Sequence, residues 1–416
     1  MSAEAAWPVV PFKDVADYDV GKTPARATPE YWTDAADNVP WVTISDLPAY
    51  GTVSATKETT TSLAHDNVFR GHLVPAGTLL MSFKLTIGRV ATLAIPAVHN
   101  EAIISIYPKP NMDQAFLGYY LSQVDYSQLQ DRQIKGNTLN KSKIDRIPVP
   151  VPPKPVQQRI AAILDTVRGA IRGDREALVA TRALKQAVSR DVLGVPEDAK
   201  EGDWVSERIG DSHVISSGGT PSRSVPEFWE GGTIPWVKTT EVDYTVITET
   251  LEHITQSGLD NSAARILPIG TVLLAMYGQG VTRGKVAVLG IEAASNQACA
   301  AIQPSNEAVD SRYLYHYLAH QYDELRHMAH GGQQQNLNLD IVRDFPLTYP
   351  ASRAAQAEIV EVLDALDEKI RLHQARLPVL EALFSALLKG LMSGELDVAD
   401  LDTDWVNESV EKGSAA

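Results

Sequence analysis

Short motifs in the first half of this 416-residue chain return in the second half, in the same order and at a spacing that drifts only from 193 to 199 residues. Gly21-Lys22-Thr23-Pro24, followed by Arg26 and Pro29-Glu30-Tyr31-Trp32, returns as Gly218-Gly219-Thr220-Pro221, Arg223 and Pro226-Glu227-Phe228-Trp229. Pro40-Trp41-Val42 returns as Pro235-Trp236-Val237, and Gly88-Arg89-Val90-Ala91 as Gly284-Lys285-Val286-Ala287. Leu139-Asn140 returns as Leu337-Asn338, and Gln157, Ile160 and Leu164-Asp165 as Gln356, Ile359 and Leu363-Asp364. Chance matches do not stay collinear. The chain is a tandem duplication, and a fold assigned to one half must serve for the other.

Each copy has two parts. The first holds strand-length apolar runs such as Leu79-Leu80-Met81 and Val272-Leu273-Leu274, separated by Gly, Pro and Asn, which read as a β-rich α+β globule. A short aromatic helix at 116–121 recurs at 313–318, its stripe read as core. The second part is a long helix. In the second copy, apolar positions step 4-3-4-3 through Ile359, Leu363, Leu366, Ile370, His373, Leu377, Leu380, Phe384, Leu387 and Leu391, a coiled-coil seam with His373 its one polar member. The same steps in the first copy give Ile160, Leu164, Val167, Ile171 and Leu178, with Asp174, Thr181 and Lys185 as interruptions. Each helix would span roughly 60 Å at about 1.5 Å per residue. The expected packing is one antiparallel coiled coil, which makes a tandem repeat pseudo-twofold.

Prolines punctuate this plan. Residue Pro378 predicts a kink or a restart in the second helix. The Pro-rich stretches 147–155 and 345–350 are expected to be non-helical and to hold each globule against its helix. The resulting division is 1–152, first globule; 153–195, first helix; 196–350, second globule; 351–395, second helix; and 396–416, an acidic flexible tail.

Charge narrows the function less than the repeat does. The net charge is −15, which counts against a simple basic nucleic-acid binder. It is unevenly spread, at −2 for 1–150, +4 for 151–196, −10 for 197–350 and −7 for 351–416. The balance counts against DNA binding without excluding it. Cys299 is the one cysteine, so a disulfide or cysteine-zinc framework is excluded and a cytoplasmic location is expected. Residues 1–10 lack the features of a signal peptide, and no apolar run approaches the roughly 18 residues of a membrane span.

No catalytic constellation is visible. Gly21-Lys22-Thr23 lacks the upstream glycine of a phosphate loop, since position 16 is Ala. Gly278-Gln279-Gly280 lacks the third glycine of a dinucleotide loop. No Asn/Asp-Pro-Pro-aromatic sequence of an amino-methyltransferase occurs, and the charges around Asp198 and Asp367 read as solvated clusters rather than a nuclease signature. His316 and His320 have the i, i+4 spacing of a metal pair, but the first copy has Tyr119 and Gln123 there, so no metal site is expected. Cys299 lies among small apolar residues and reads as buried.

A polar segment precedes each Pro-rich stretch. It runs 135–143 in the first copy and 331–338 in the second, and residues 132–146 carry five cations against one anion. Lysine with Gly, Asn, Gln and Thr suits phosphate contact, and Asn or Gln suits adenine; a plain solvent loop is the alternative.

The Gly-Xaa-Thr-Pro…Pro-Glu-aromatic-Trp openings, the Pro-Trp that follows, the passage 137–165 and the stretch 387–396 together resemble the DNA-specificity subunit of type I restriction-modification systems. The resemblance spans residues 7 to 396, departing at Pro350-Ala351-Ser352, where a Pro-Pro pair is usual, and at Gln335-Asn336. It implies a non-catalytic subunit with two target-recognition domains reading a split, asymmetric DNA site. It also implies two modification subunits carrying S-adenosylmethionine and adenine methylation, and two restriction subunits using ATP and Mg, with no membrane role. Polarity and position nominate Lys84, Arg89, Asn137, Thr138, Asn140, Lys141 and Lys143 in the first domain as DNA contacts. In the second they nominate Lys238, Arg283, Lys285, Gln333, Gln334, Gln335 and Asn336. A protein-only scaffold and a divergent methyltransferase or nuclease stay open beside this reading.

Overall fold

The computed structural model describes residues 7–32, 38–129, 131–133, 136–278, 281–328 and 336–401. Contacts divide the chain into two units, one of residues 1–173 with 377–416 and one of residues 174–376. Each unit thus holds one globule and half of each long helix.

In the first unit a five-stranded sheet runs in the order Ala16–Val20, Ile103–Pro108, Leu79–Ser82, Val90–Leu93, Tyr50–Val53. A three-stranded sheet runs Glu58–Thr60, Val39–Val42, Val98–His99. The second unit repeats both orders, with Ile215–Ser217, Cys299–Ile302, Val272–Ala275, Val286–Leu289, Val246–Ile247 and then Glu252–Ile254, Ile234–Val237, Ala294–Ser295. The parallel pairings also recur, Tyr50–Val53 with Val90–Leu93 and Val246–Ile247 with Val286–Leu289.

The central strand explains the uninterrupted apolar runs. Successive side chains of a strand point to opposite faces. Leu79 and Met81 enter the core under the short helix Gln114–Gln123, whereas Leu80 enters the core shared with the three-stranded sheet. Val272 and Leu274, against Leu273 and Ala275, divide in the same way. Both faces are covered, so no polar alternation survives.

The long helices run Lys154–Val192 and Arg353–Ser393. Every seam residue from Ile160 to Val192 and from Ile359 to Leu391 is buried or half-buried. In the first unit Ile160 and Leu164 share a core with Phe384, Leu387 and Leu391. In the second, Val188, Val192 and Leu193 share one with Ile359, Leu363 and Leu366. The three interruptions of the first seam are also shielded: Thr181 is buried, Asp174 bonds His373 at 3.0 Å, and Lys185 forms an ion pair with Asp367. Moving from Asp174 to Lys185 moves the partner backwards from His373 to Asp367, so the helices run antiparallel in this unit.

Three expectations need correction. The second helix does not restart at Pro378 but runs through it. Pro155 lies in the first turn of the first helix, where its missing amide has no partner to lose, so the non-helical stretch ends earlier than its prolines imply. Nor does the tail begin at 396. Val398 is buried with Leu391 and Met392 in the first unit's core, Leu401 packs beside it, and residues 402–416 lie outside the described residues. Among the described residues no helix is long and apolar enough to cross a membrane.

Candidate nucleic-acid interface

The recurrent Leu-Asn pair organises the polar edge of each unit. Leu139 is buried, and its amide donates to the Phe83 carbonyl at 2.9 Å. Leu337 is buried likewise, with its amide on the Met276 carbonyl at 3.1 Å. In the first unit residues 136–138 are thereby laid beside the connection that follows the central strand, while residues 329–335 of the second lie outside the described residues. The next residue caps a helix. Asn140 Oδ1 accepts the Lys143 amide at 3.0 Å at the start of Lys141–Asp145, and Asn338 Oδ1 accepts the Ile341 amide at 2.9 Å at the start of Leu339–Asp344.

This gathers most first-copy candidates and sorts them. The polar segment 135–143 takes in the second strand of a β-hairpin, Gly136–Thr138 against Asp131–Gln133, and then that capped helix. Asn137 and Thr138 are in the hairpin, and Lys141 is exposed on the helix with Lys143 half-buried. Lys84 is half-buried, its Nζ 5.2 Å from the Phe83 ring centre, while Arg89 donates to the Leu47 carbonyl at 2.7 Å. Asn140 and Arg89 therefore have local structural work.

In the second unit the cations are more engaged. Lys285 pairs with Asp243 at 2.6 Å, and Arg283 is buried, its carbonyl accepting from Arg326 at 3.1 Å. Lys238 pairs with Glu252 at 2.7 Å, within a different cluster. Asn336 is exposed beside Leu337, and Gln333, Gln334 and Gln335 lie outside the described residues.

That different cluster accounts for the opening motif. The Arg26 guanidinium lies 3.7 Å from the Trp32 ring centre and bonds Glu58 at 2.5 Å. Trp32 meets Trp41 edge-on at 4.9 Å, and the Trp41 indole donates to the Lys22 carbonyl at 3.1 Å. Arg223, Trp229, Trp236 and Glu252 repeat the arrangement at 3.6, 5.0 and 2.6 Å. Gly21 opens it because a Cβ there would stand 2.1 Å from the His99 carbonyl oxygen; at Gly218 the obstacle is the Ser295 carbonyl, also 2.1 Å away. Neither arginine stood among the nominated residues, although both belong to the repeated motif.

A second recurrent joint ties each globule to its helix. Gln157, fully buried, accepts the Asp113 amide at 2.7 Å and donates to the Pro152 carbonyl at 2.8 Å; Gln356 does the same with Asp310 and Pro350, both at 2.8 Å. Nearby chemistry differs between copies. Tyr119 donates to Asp165 at 2.5 Å, where the second unit has His316 on Asp364 at 2.7 Å. Burial alone would raise the Asp364 pKa, but bonds from His316 and Arg312 outweigh it and hold it at about 2. Burial pushes the His316 pKa below its usual value, against the pull of Asp364.

Among the described residues, His316, Asp364 and Asp367 form the one group close enough to share a metal ion, and His320 is not in it. Arg312 and Lys185 already hold its two carboxylates, so the charge an ion would supply is present as side chains. Cys299 is buried, with its thiol pushed by burial up to about 12, which leaves it protonated and unreactive.

A family model described as the type I restriction modification DNA specificity domain matches residues 4–178 and again 201–382. The MjaIX specificity subunit of Methanocaldococcus jannaschii is 23% identical over 420 residues, covering 95% of this chain and 94% of that one. The EcoR124I/EcoR124II specificity subunit of Escherichia coli is 25% identical over 257 residues, 60% of this chain and 62% of that one. In fold, the chain is similar to the type I restriction-modification S subunit from M. genitalium, with a TM-score of 0.64 at 13% identity over 94% of this chain and 97% of that one.

Proposed function

The chain belongs to the type I restriction-modification DNA specificity family, and we propose that its two globules read the two halves of one split, asymmetric duplex site. It is the DNA specificity subunit of such a system, a recognition subunit without catalysis of its own. The observation that carries the bipartite reading is the repeated globule whose two polar edges differ. Both copies keep the Leu-Asn anchor and cap, the Arg-Trp cluster and the buried Gln. A feature common to both cannot tell one half-site from the other. Discrimination falls to the segments that diverge, Lys135 to Lys143 against Gln333 to Asn336.

In this reading Lys84, Lys141 and Lys143 face phosphates, and Asn137 and Thr138, with Gln333, Gln334, Gln335 and Asn336, face base edges. Arg89, Asn140, Arg283 and Lys285 support the edge from behind, while Lys238 belongs to the Arg223–Glu252 cluster. Two modification subunits carry S-adenosylmethionine and methylate adenine, two restriction subunits bring ATP and Mg, and all act on DNA in the cytoplasm. Their surfaces supply the phosphate contact that a chain of net charge −15 lacks.

Sequencing of methylated adenines in the host, with and without the gene, tests this directly. The expected result is one gapped, asymmetric motif that loses methylation on deletion. An unchanged methylation map would overturn the reading.

A further inference from the structure

Leu85 and Val281 stand at the same place in the two copies, three residues before Gly88 and Gly284. Each lies in the connection from the central strand to the next, Leu79–Ser82 to Val90–Leu93 and Val272–Ala275 to Val286–Leu289. The second connection is three residues longer, yet both leave one large apolar side chain in solvent, Leu85 at 62% and Val281 at 66% exposure. Leu85 does so at φ +61°, a left-handed conformation that strains an L side chain and that glycine would adopt freely. The fold draws nothing from a leucine there. A strained, exposed side chain held in place points to a contact outside the chain.

Hydrogen bonds fix each connection among its described residues, which leave out 279 and 280. Gly88 and Gly284 donate to Ser82 and Ala275 carbonyls at 2.9 Å. Ser82 Oγ donates to the Thr86 carbonyl at 2.5 Å, and the Tyr322 hydroxyl donates to the Val281 carbonyl at 2.7 Å. Rigidity lowers the entropy lost on contact. The Leu85 tip also stands beside the polar edge, because the Leu139 amide bonds the Phe83 carbonyl two residues ahead of it; in the second copy the Leu337 amide bonds the Met276 carbonyl, five residues ahead of Val281. In the first copy Lys84 adjoins Leu85, and the helix carrying Lys141 and Lys143 follows Leu139 directly. An apolar tip within a basic, amide-rich edge matches a duplex, whose phosphates take the cations and whose base stack takes the tip.

We propose that Leu85 and Val281 are apolar wedges that enter the duplex and unstack one base step in each half-site. This rests on the DNA-reading assignment above. The test uses the full chain assembled with its modification subunits, on duplexes of the motif whose methylation depends on the gene, with 2-aminopurine placed at successive positions of each half. Binding is expected to brighten one step per half. Leu85→Gly should abolish the signal in one half and weaken cognate binding about tenfold or more, while its melting temperature stays level or rises because glycine relieves the backbone. Val281→Ala should abolish the signal in the other half only, and Leu85→Met should keep it. Leu85→Gly and Val281→Ala both binding within about twofold of wild type, with the brightening intact, would overturn the wedge. So would a wild-type complex that binds tightly with no bright step. A wild-type complex that does not bind the motif would overturn the DNA reading as well.

Discussion

The carboxylate of Asp174 and the imidazole of His373 meet at 3.0 Å, and the two residues are 199 positions apart, the interval that separates the two helix seams. Each is the other's counterpart in the repeat. The one acidic and the one basic residue at that seam position complete each other, with Arg376 at 3.3 Å from the second carboxylate oxygen. Asp174→Leu should destabilise the second unit by about 1–3 kcal/mol, since the His373 and Arg376 side chains lose their partner. The double change Asp174→Leu with His373→Leu should restore stability to near wild type. Urea unfolding of the four proteins of that cycle measures the coupling, and additive single effects would remove it.

Asn140 separates a fold role from a reading role. As a cap, Asn140→Ala should cost about 0.5–2 kcal/mol and Asn140→Asp almost nothing, in thermal unfolding of the free chain. If the side chain read adenine instead, Asp would keep the stability but lose discrimination between cognate and scrambled duplex.

Lys141 and Lys143 give the phosphate contact its signature. Replacing both with Ala should weaken the complex about equally on cognate and random duplex and lower the salt slope by roughly one unit per lost contact. Asn336→Ala should cost about 1–3 kcal/mol on the cognate half-site and little on random DNA. Isotherms at two salt concentrations distinguish them.

Acid should loosen both units, by different groups. Burial holds His99 down to about 4, although its backbone bond to Asn100 favours the charged form. The unfolded chain takes that proton near 6.5, so the contribution is complete above about pH 6.5 and is lost as pH falls toward 4. Asp364, held at about 2, adds stability that is present above its ordinary 3.8 and disappears as pH falls through 2. His99→Ser, which copies Ser295 of the second unit, should flatten the dependence of the melting temperature between pH 6.5 and 4. An unchanged slope would assign the acid response elsewhere.

The repeat, the seam and the buried short helix were legible because each is written in periodicity, which survives without knowledge of neighbours. What was not legible depended on distant partners. Asp174 and Lys185 read as flaws in the first seam because His373 and Asp367 stand nearly 200 residues away. Leu139-Asn140 read as part of a polar loop, since neither the Phe83 carbonyl nor the capped helix is visible in composition. Arg26 and Arg223 recurred with their tryptophans, but a guanidinium over an indole is a matter of distance, not spacing. The helix does not restart at Pro378, because seam packing on both sides outweighs one missing amide.

The second unit is one uninterrupted stretch of chain, while the first is closed by Leu391, Met392 and Val398. The globule that leaves the ribosome first is therefore completed last. After Leu164 emerges, synthesis at about 5–20 residues per second takes roughly 10–50 s to reach Val398. Through that interval Ile160 and Leu164 lack the cover that Phe384, Leu387 and Leu391 supply, and the strip is open to chaperones or to a neighbouring nascent chain. Translation speed across the second copy thus becomes a determinant of how much first globule matures, independently of the stability of the finished protein.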